Sequence, residues 1–228
     1  MTPEEWQAVG LSLSVALRSV ALALPVGILL AWILSRRRFW GRPLLDAIVH
    51  LPLVVPPVVV GWGLLMLFGL RGPFGAWLDD WFGVRLVFSL EGAALATAVM
   101  SLPLVVRSVR LSLEAVDQGL EQAAATLGAR RIDRFFTITL PLMAPGVLAG
   151  GITAFAAGLG EFGAVITFAG NVPGETQTLP LAIYAAIQTP GGEAAAARMA
   201  GLSFALALAG LLLAEAMHRA LSRAIGRG

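Results

Sequence analysis

Long apolar runs separated by short arginine-containing stretches dominate the pattern of this chain. A helix needs about 20 apolar residues to cross the hydrocarbon core of a bilayer, and five runs reach that length. They predict membrane spans at about 8–35, 44–70, 86–106, 138–168 and 199–217. A sixth apolar stretch, 179–187, is too short to span and is expected to form a surface or re-entrant helix. The pattern predicts an all-α integral membrane protein whose residues 1–228 form a single transmembrane domain.

The composition agrees with a membrane protein and excludes several classes of function. Apolar residues make up 57% of the chain and charged residues 13%, whereas an average soluble domain carries about 25% charged residues. The chain has no cysteine and its 16 basic residues are all arginine, which excludes disulfides, thiolate metal sites and lysine nucleophiles. Because no nucleophile motif or metal-ligand cluster is present in the sequence, we expect no catalytic residue, no metal site and no cofactor in this chain.

The arginines divide unequally between the two ends of the predicted spans. Twelve lie on one side: Arg36, Arg37, Arg38, Arg42, Arg107, Arg110, Arg130, Arg131, Arg134, Arg219, Arg223 and Arg227. Three lie on the other side, Arg71, Arg85 and Arg198, and Arg18 lies inside the first span. The positive-inside rule predicts a cytoplasmic location for the larger group, an external N-terminus and a cytoplasmic C-terminus. Membrane lipid is the expected partner of these arginines, rather than nucleic acid.

The predicted cytoplasmic loop at 107–137 contains a short amphipathic helix. Asp117 can cap its start and Gly128 can end it. Apolar residues recur between them at helical spacing, at Leu120, Ala123, Ala124 and Leu127, and a second turn follows at 130–136. A helix this short is marginally stable alone, so it needs a surface to dock against. That surface can be either the inner leaflet or a partner protein. The loop itself is too short to contain a soluble domain.

The same loop carries a family signature. Gln122-Ala123-Ala124, followed at fixed spacing by Gly128, Ile138 and Leu140-Pro141, resembles the EAA signature of ABC-importer permeases. In that family the segment forms the coupling helices, which lie in a cleft of the ATP-hydrolysing subunit. Gln122 stands where the signature has glutamate, and Glu121 lies one position earlier. The resemblance implies these ATPase-coupling residues: Glu121, Gln122, Ala123, Ala124, Leu127, Gly128, Ile138, Leu140 and Pro141.

Four other segments narrow the resemblance to one group of permeases within that family. Residues 3–9, 50–61, 160–164 and 171–176 resemble the molybdate permeases of bacterial ABC importers, and the sulfate and tungstate permeases are close relatives. The resemblance implies a MetI-like permease in the bacterial inner membrane, a second copy of itself, and two cytoplasmic ATP-binding subunits that hold ATP and Mg. It also implies an external oxyanion-binding protein. Sulfate, thiosulfate or tungstate remains the alternative substrate, and an ion-coupled carrier or channel is a more distant alternative function.

Two groups of residues are candidates for the gate and the path. A carboxylate repels an oxyanion, so Glu161 is expected to fix a helix end or a dimer contact near the outer gate, together with Gly160, Phe162 and Gly163. Prolines interrupt the second span, and the carbonyl groups that they free must face protein or a water-filled path. The path-lining candidates are Pro52, Pro56, Pro57, Thr97 and Ser101. The two hydroxyl groups can instead bond to carbonyls of their own helix.

Three further features have two interpretations each. Arg18 either attracts anions or is neutralised by snorkelling or by pairing with an acid such as Glu91. A ridge of small residues on the fourth span, Gly146, Gly150, Ala154 and Gly158, packs either within the subunit or across a dimer. An amphipathic helix that contains Phe74, Trp77, Leu78 and Trp81 lies on the outer leaflet or docks a binding protein.

Overall fold

Helices account for nearly all regular structure in the computed structural model, which describes residues 2–224, apart from the side chains of 118, 213–215 and 217–224. The helices are α1 (Pro3–Arg36), α2 (Arg42–His50), α3 (Pro57–Phe68), α4 (Pro73–Phe82), α5 (Leu90–Glu114), α6 (Gln118–Thr126), α7 (Arg131–Arg134), α8 (Leu140–Leu159), α9 (Gly163–Phe168), α10 (Leu179–Gln188) and α11 (Glu193–Ala224). A 3₁₀ turn at Leu51–Leu53 extends α2, and a π turn at Phe135–Thr139 joins α7 to α8. The prediction of an all-α protein is confirmed for the described residues.

Within these residues, four helices are long and apolar enough to cross a membrane. They are α1, α5, the continuous helix Arg131–Leu159 and the segment Glu193–Leu212 of α11. The predicted second span is instead two helices, Arg42–Leu53 and Pro57–Phe68, bent by 114°. The break follows from the prolines, because Pro56 and Pro57 cannot donate backbone hydrogen bonds and Pro57 is suited to the first position of a new helix. With this broken pair counted as one, the candidate spans number five, as predicted.

Two predicted boundaries are wrong. The third span was expected at 86–106, but α5 begins at Leu90 and continues to Glu114. The fourth was expected to continue to residue 168, but α8 ends at Leu159 and a separate helix, α9, begins at Gly163. Apolarity alone does not detect this interruption, because the residues on both sides of it are equally apolar.

The main core lies between α1, α5 and α8. Buried side chains from these three helices include Leu34, Val105, Val109, Leu113 and Met143. Their close approach depends on the ridge of small residues on α8, described next. The lower part of α1 and the start of α8 therefore belong to one packed unit.

The small-residue ridge of α8 packs within the subunit. A Cβ atom on Gly146 would overlap the side chain of Ser112 on α5, and one on Gly158 would lie 2.9 Å from Cγ2 of Thr97. The hydroxyl group of Ser108 donates to the carbonyl of Gly146 at 2.9 Å. Of the two interpretations of the ridge, the internal one is confirmed.

The short apolar helix α10 packs against the first turns of α1 and against α11. Ala8, Val9, Leu179, Ala182 and Met199 form a buried cluster there. The backbone N–H of Leu179 donates to Oγ of Ser12 at 2.6 Å, which fixes the start of α10. The expected non-spanning helix is present, but one face of it is buried, so it is not a free surface helix.

The predicted amphipathic helix is α4, and Phe74, Trp77 and Trp81 are exposed on it. The predicted fifth span, 199–217, lies inside α11. Arg227 lies outside the described residues, and so do the side chains of Arg219 and Arg223. The cytoplasmic location of these three arginines stays a prediction.

Candidate functional site

The first candidate site is the coupling segment, residues 117–141, between α5 and α8. Its helix α6 begins where Asp117 accepts a hydrogen bond from the N–H of Gly119 at 2.8 Å. It ends at Gly128, whose φ of +88° places it in the left-handed region that favours glycine. The N–H groups of Gly128 and Ala129 donate to the carbonyls of Ala125 and Ala124 at 3.1 and 3.0 Å. This is the Schellman pattern of a glycine-terminated helix, and both predicted ends of α6 are confirmed.

One residue of α6, Glu121, connects the coupling segment to the rest of the molecule. Its Oε1 accepts from Nη2 of Arg36 at 3.1 Å and from Oγ1 of Thr139 at 2.7 Å. Its backbone carbonyl accepts from Nη1 of Arg134 at 3.1 Å. Arg36 is the last residue of α1, and Thr139 is the last residue of the π turn before α8. We call these four residues the Glu121 junction.

The Glu121 junction is partly shielded from solvent. The side chains of Arg36 and Glu121 are 15% and 24% exposed, so their charges interact more strongly than those of a fully solvated pair. Gln122, at the glutamate position of the signature, is exposed. In this chain the ionic contact therefore belongs to Glu121, one position before the signature residue.

The π turn joins the coupling segment to a membrane span without a break. The N–H of Leu140 donates to the carbonyl of Phe135, five residues earlier. Pro141 explains the wide turn, because it has no N–H and its ring would clash with the carbonyl four residues before it in a regular α-helix. Ile138 and Leu140 are half-buried, Leu140 packs against the main core, and Pro141 is exposed. The coupling segment is therefore continuous with the span helix Arg131–Leu159.

The outer surface of α6 is apolar and uncovered. Leu120 is 49% exposed and Leu127 is 88% exposed, while Ala123 is also exposed and Ala124 is half-buried. An exposed leucine is common, but Leu120 on α6 and Leu127 at its C-cap together leave an apolar surface suited to docking.

The second candidate site is the helix-break contact, where α3 and α9 meet directly after the breaks in the chain at 54–56 and 160–162. A Cβ atom on Gly163 would lie 2.7 Å from Cβ of Pro57. One on Gly61 would lie 2.7 Å from the carbonyl oxygen of Ala164. The predicted gate residue Gly163 and the predicted path residue Pro57 thus lie beside each other. No sequence pattern predicts this contact, because the two segments are far apart along the chain.

Glu161 fixes a helix end in the helix-break contact. Its Oε1 accepts from the N–H of Ala164 at 2.9 Å, in the first turn of α9. The carboxylate satisfies a backbone donor that has no partner inside the helix and lies at the positive end of the helix dipole. Two roles were predicted for Glu161, at a helix end or at a dimer contact, and this hydrogen bond corresponds to the first. A role of residues 160–163 in an outer gate stays a prediction.

The hydroxyl groups proposed for the path bond to their own helix. Thr97 and Ser101 are each 1% exposed and donate to the carbonyls of Ala93 and Ala98 at 2.8 and 3.3 Å. In this conformation both residues lie between packed helices, not on an open surface. Of the remaining path candidates, Pro52 is half-buried and Pro56 and Pro57 are exposed.

Arg18 forms an ion pair with Glu91. Its Nη1 lies 2.6 Å from Oε1 of Glu91, at the start of α5. Pairing was one of the two interpretations of Arg18, and the pair neutralises a charge that would be costly inside a span.

The chain is similar to known transport proteins in family, sequence and structure. Residues 23–227 match the family described as "Binding-protein-dependent transport system inner membrane component". The chain is 56% identical over 227 residues to the "Molybdenum transport system permease protein ModB" of Escherichia coli K12, which covers 100% of this chain and 99% of that protein. The protein of the same name from Haemophilus influenzae is 52% identical over 98% of both chains. The "Sulfate transport system permease protein CysT" of Escherichia coli K12 is 43% identical over 71% of this chain and 58% of its own length.

Two solved structures have the same fold as this chain. A chain of a bacterial ABC transporter for import of the acidic polysaccharide alginate superposes with a TM-score of 0.76 at 18% identity, covering 96% of this chain and 80% of its own. A bacterial alginate ABC transporter in complex with an alginate pentasaccharide-bound periplasmic protein gives a TM-score of 0.75 at 21% identity, covering 99% and 80%.

Proposed function

Because the chain belongs to the family of binding-protein-dependent transport system inner membrane components, we propose that it is the membrane-spanning permease subunit of an ATP-driven molybdate importer. Identity of 56% and 52% to molybdenum permeases over nearly the whole chain supports this substrate. The sulfate permease relative matches a smaller part of the chain, so sulfate is the weaker alternative. As a permease it is a multi-pass inner-membrane protein and is itself non-catalytic. ATP and Mg are bound, and ATP is hydrolysed, in a partner subunit.

We further propose that α6 docks into that ATP-hydrolysing subunit. Leu127 carries this proposal, because it is an 88% exposed leucine at the C-cap of a helix that Glu121 fastens to the span helices. A force applied to α6 reaches α1 through the ion pair of Glu121 with Arg36. It reaches α8 through Thr139 and the continuous helix Arg131–Leu159. The Glu121 junction therefore provides two connections between ATP hydrolysis and movement of the spans.

The translocation path is proposed to lie between two copies of this chain, near the helix-break contact. Val54, Pro56 and Pro57 at the break are exposed in the single chain, and backbone that is not helical is unfavourable against lipid. It therefore faces a water-filled path or the second copy. A dianion such as molybdate needs weak, successive contacts, because a tight cationic site inside the membrane would retain it. An external oxyanion-binding protein then supplies selectivity and delivers the ion.

Docking of α6 can be tested by copurification. Leu127→Gln should release the ATP-hydrolysing subunit, because it removes the largest exposed apolar contact of α6 while leaving the Glu121 junction intact. Leu70→Gln is the matched control, since Leu70 is an exposed leucine next to a different helix, α3. Copurification of the ATPase subunit at an unchanged level with Leu127→Gln would show that α6 rests on lipid instead.

The orientation can be tested with reporter fusions. Fusions after Gly41 and Gly128 should report a cytoplasmic location, and fusions near Gly83 and Gly174 an external one. An external report at Gly128 would exclude contact with a cytoplasmic ATPase.

The substrate can be tested by deletion of the gene. The deletion strain should lose high-affinity molybdate uptake and keep sulfate assimilation, and excess external molybdate should restore the activity of molybdenum enzymes. Normal molybdate uptake combined with a sulfur requirement would assign the protein to sulfate.

A further inference from the structure

A cavity of about 680 Å³ lies between the second half of α1 and the α7–π turn segment. It is lined on one side by Pro25, Ile28, Leu29 and Trp32 of α1, and on the other by Ile132, Phe135 and Phe136. Arg36, Arg37, Arg131 and Arg134 also line it, together with Glu121 and Thr139. The cavity therefore combines an apolar wall with a cationic end.

The positive charge of this cavity exceeds its negative charge. Glu121 is the carboxylate among the lining residues, and it is engaged by Arg36. Within the residues that the structure describes, Arg37 and Arg131 form no ion pair, and the guanidinium of Arg37 lies over the ring of Trp32 at 5.1 Å. Nε of Arg134 is buried without a hydrogen-bond partner in the same part of the chain. Arg37 and Arg131 therefore supply the positive charge of the cavity that no carboxylate in the described part of the chain neutralises.

The apolar wall continues out of the cavity along α1. Leu22, Val26 and Leu29 are each about half exposed and repeat at i, i+4 and i+7, so they lie on one face of the helix. The cavity lies where the apolar run of α1 meets the arginines at 36–38, which is where the hydrocarbon core of a bilayer gives way to headgroups.

We propose that this cavity binds an anionic phospholipid. Arg37 and Arg131 would hold the phosphate at the cationic end of the cavity, which Arg134 also lines, and one acyl chain would lie against the exposed face of α1. A free phosphate shares the headgroup chemistry, but it would leave the apolar wall uncovered, which favours the lipid. Because the same cavity contains the Glu121 junction, the lipid would contact the residues that connect α6 to the spans.

The proposal can be tested by native mass spectrometry of the full-length permease, alone and with its ATPase subunit, after exchange into a mild detergent. Phosphatidylglycerol should bind at least about tenfold more tightly than phosphatidylcholine with the same acyl chains. The double variant Arg37→Gln/Arg131→Gln should weaken phosphatidylglycerol binding about thirtyfold, at about 1 kcal/mol for each basic residue near an anionic surface. Arg71→Gln/Arg107→Gln removes the same charge from exposed arginines outside the cavity and should leave binding unchanged.

Further arms separate the lipid from other occupants. Arg37→Lys/Arg131→Lys should keep most of the binding, and the single variant Arg131→Gln gives the same test if the double variant does not fold. The proposal is wrong if phosphatidylcholine binds equally well or if the double glutamine variant binds phosphatidylglycerol normally. Displacement by millimolar glycerol 3-phosphate would assign the cavity to a free anion. Loss of the lipid when the ATPase subunit is present would assign it to that protein.

Discussion

The coupling segment and the helix-break contact are held together by different kinds of interaction. In the coupling segment, α6 is exposed and is fastened through the polar groups of the Glu121 junction. In the helix-break contact, α3 and α9 approach so closely that Gly61 and Gly163 have no room for a Cβ atom. Polar contacts between side chains can stretch and re-form as two elements move, whereas close backbone packing cannot. The first region is therefore suited to transmitting movement, and the second to keeping two broken helices in register.

The largest effect is expected from filling the helix-break contact. Gly61→Val should lower the free energy of unfolding by about 3 kcal/mol, because its Cβ would meet the carbonyl of Ala164 and the side chain of Thr167. Gly63→Val, on the same helix, meets nothing within 4 Å and should be nearly neutral. Unfolding of the purified proteins in mixed detergent micelles measures both. Equal stability of the two variants would mean that the contact is not close packed.

A smaller effect, on transport rather than stability, is expected at the Glu121 junction. Glu121→Ala should lower ATP-dependent molybdate uptake about tenfold, since hydrogen bonds to charged groups contribute about 1.5–3 kcal/mol each. Gln122→Ala, at the neighbouring exposed position, should stay within about twofold of the unchanged protein. Uptake into proteoliposomes that contain the complete transporter measures the difference. If the two variants lose uptake equally, the signature position matters and the Glu121 contacts do not.

Substitution at the end of α6 separates backbone strain from side-chain packing. A Cβ on Gly128 meets no atom within 4 Å, so any effect must come from its φ of +88°. Gly128→Val should cost about 1–2 kcal/mol and lower uptake about fivefold, while Gly128→Asn, which tolerates the left-handed conformation, should be nearly silent. ATPase activity and uptake should be measured together, because uncoupling leaves hydrolysis while uptake falls. Equal uptake by the two variants would contradict the strained-end interpretation.

The smallest effect is expected at the buried hydroxyl groups. Thr97→Val keeps the shape of the side chain and removes a bond to the carbonyl of the same helix, so uptake should change less than about twofold. Ser101→Ala should behave in the same way. A large rise in the molybdate concentration needed for half-maximal uptake would instead place these hydroxyl groups on the path in another conformation.

Local signals in the sequence predicted the coupling segment better than the helix-break contact. Asp117 and Gly128 determine both ends of α6 through bonds to residues within a few positions, so their pattern is sufficient to place the helix. The ion pair of Arg36 with Glu121 joins residues 85 positions apart, and no periodicity encodes it. Its charge alone predicts membrane lipid as the partner of Arg36. The fourth span was extended to residue 168 because apolar length does not record the interruption capped by Glu161.

The π turn at Phe135–Thr139 also determines how α6 and α7 are rotated about the axis of α8. Each residue added to an α-helix rotates the following residues by about 100° and advances them by about 1.5 Å. The extra residue in this turn therefore decides the direction in which α7 and α6 point around the axis of α8. Deletion of a single residue there would leave the other spans unchanged, yet it would rotate the apolar surface of α6 by more than a quarter of a circle relative to α8. The alignment between the membrane part of the protein and the surface it presents to a partner depends on that one residue.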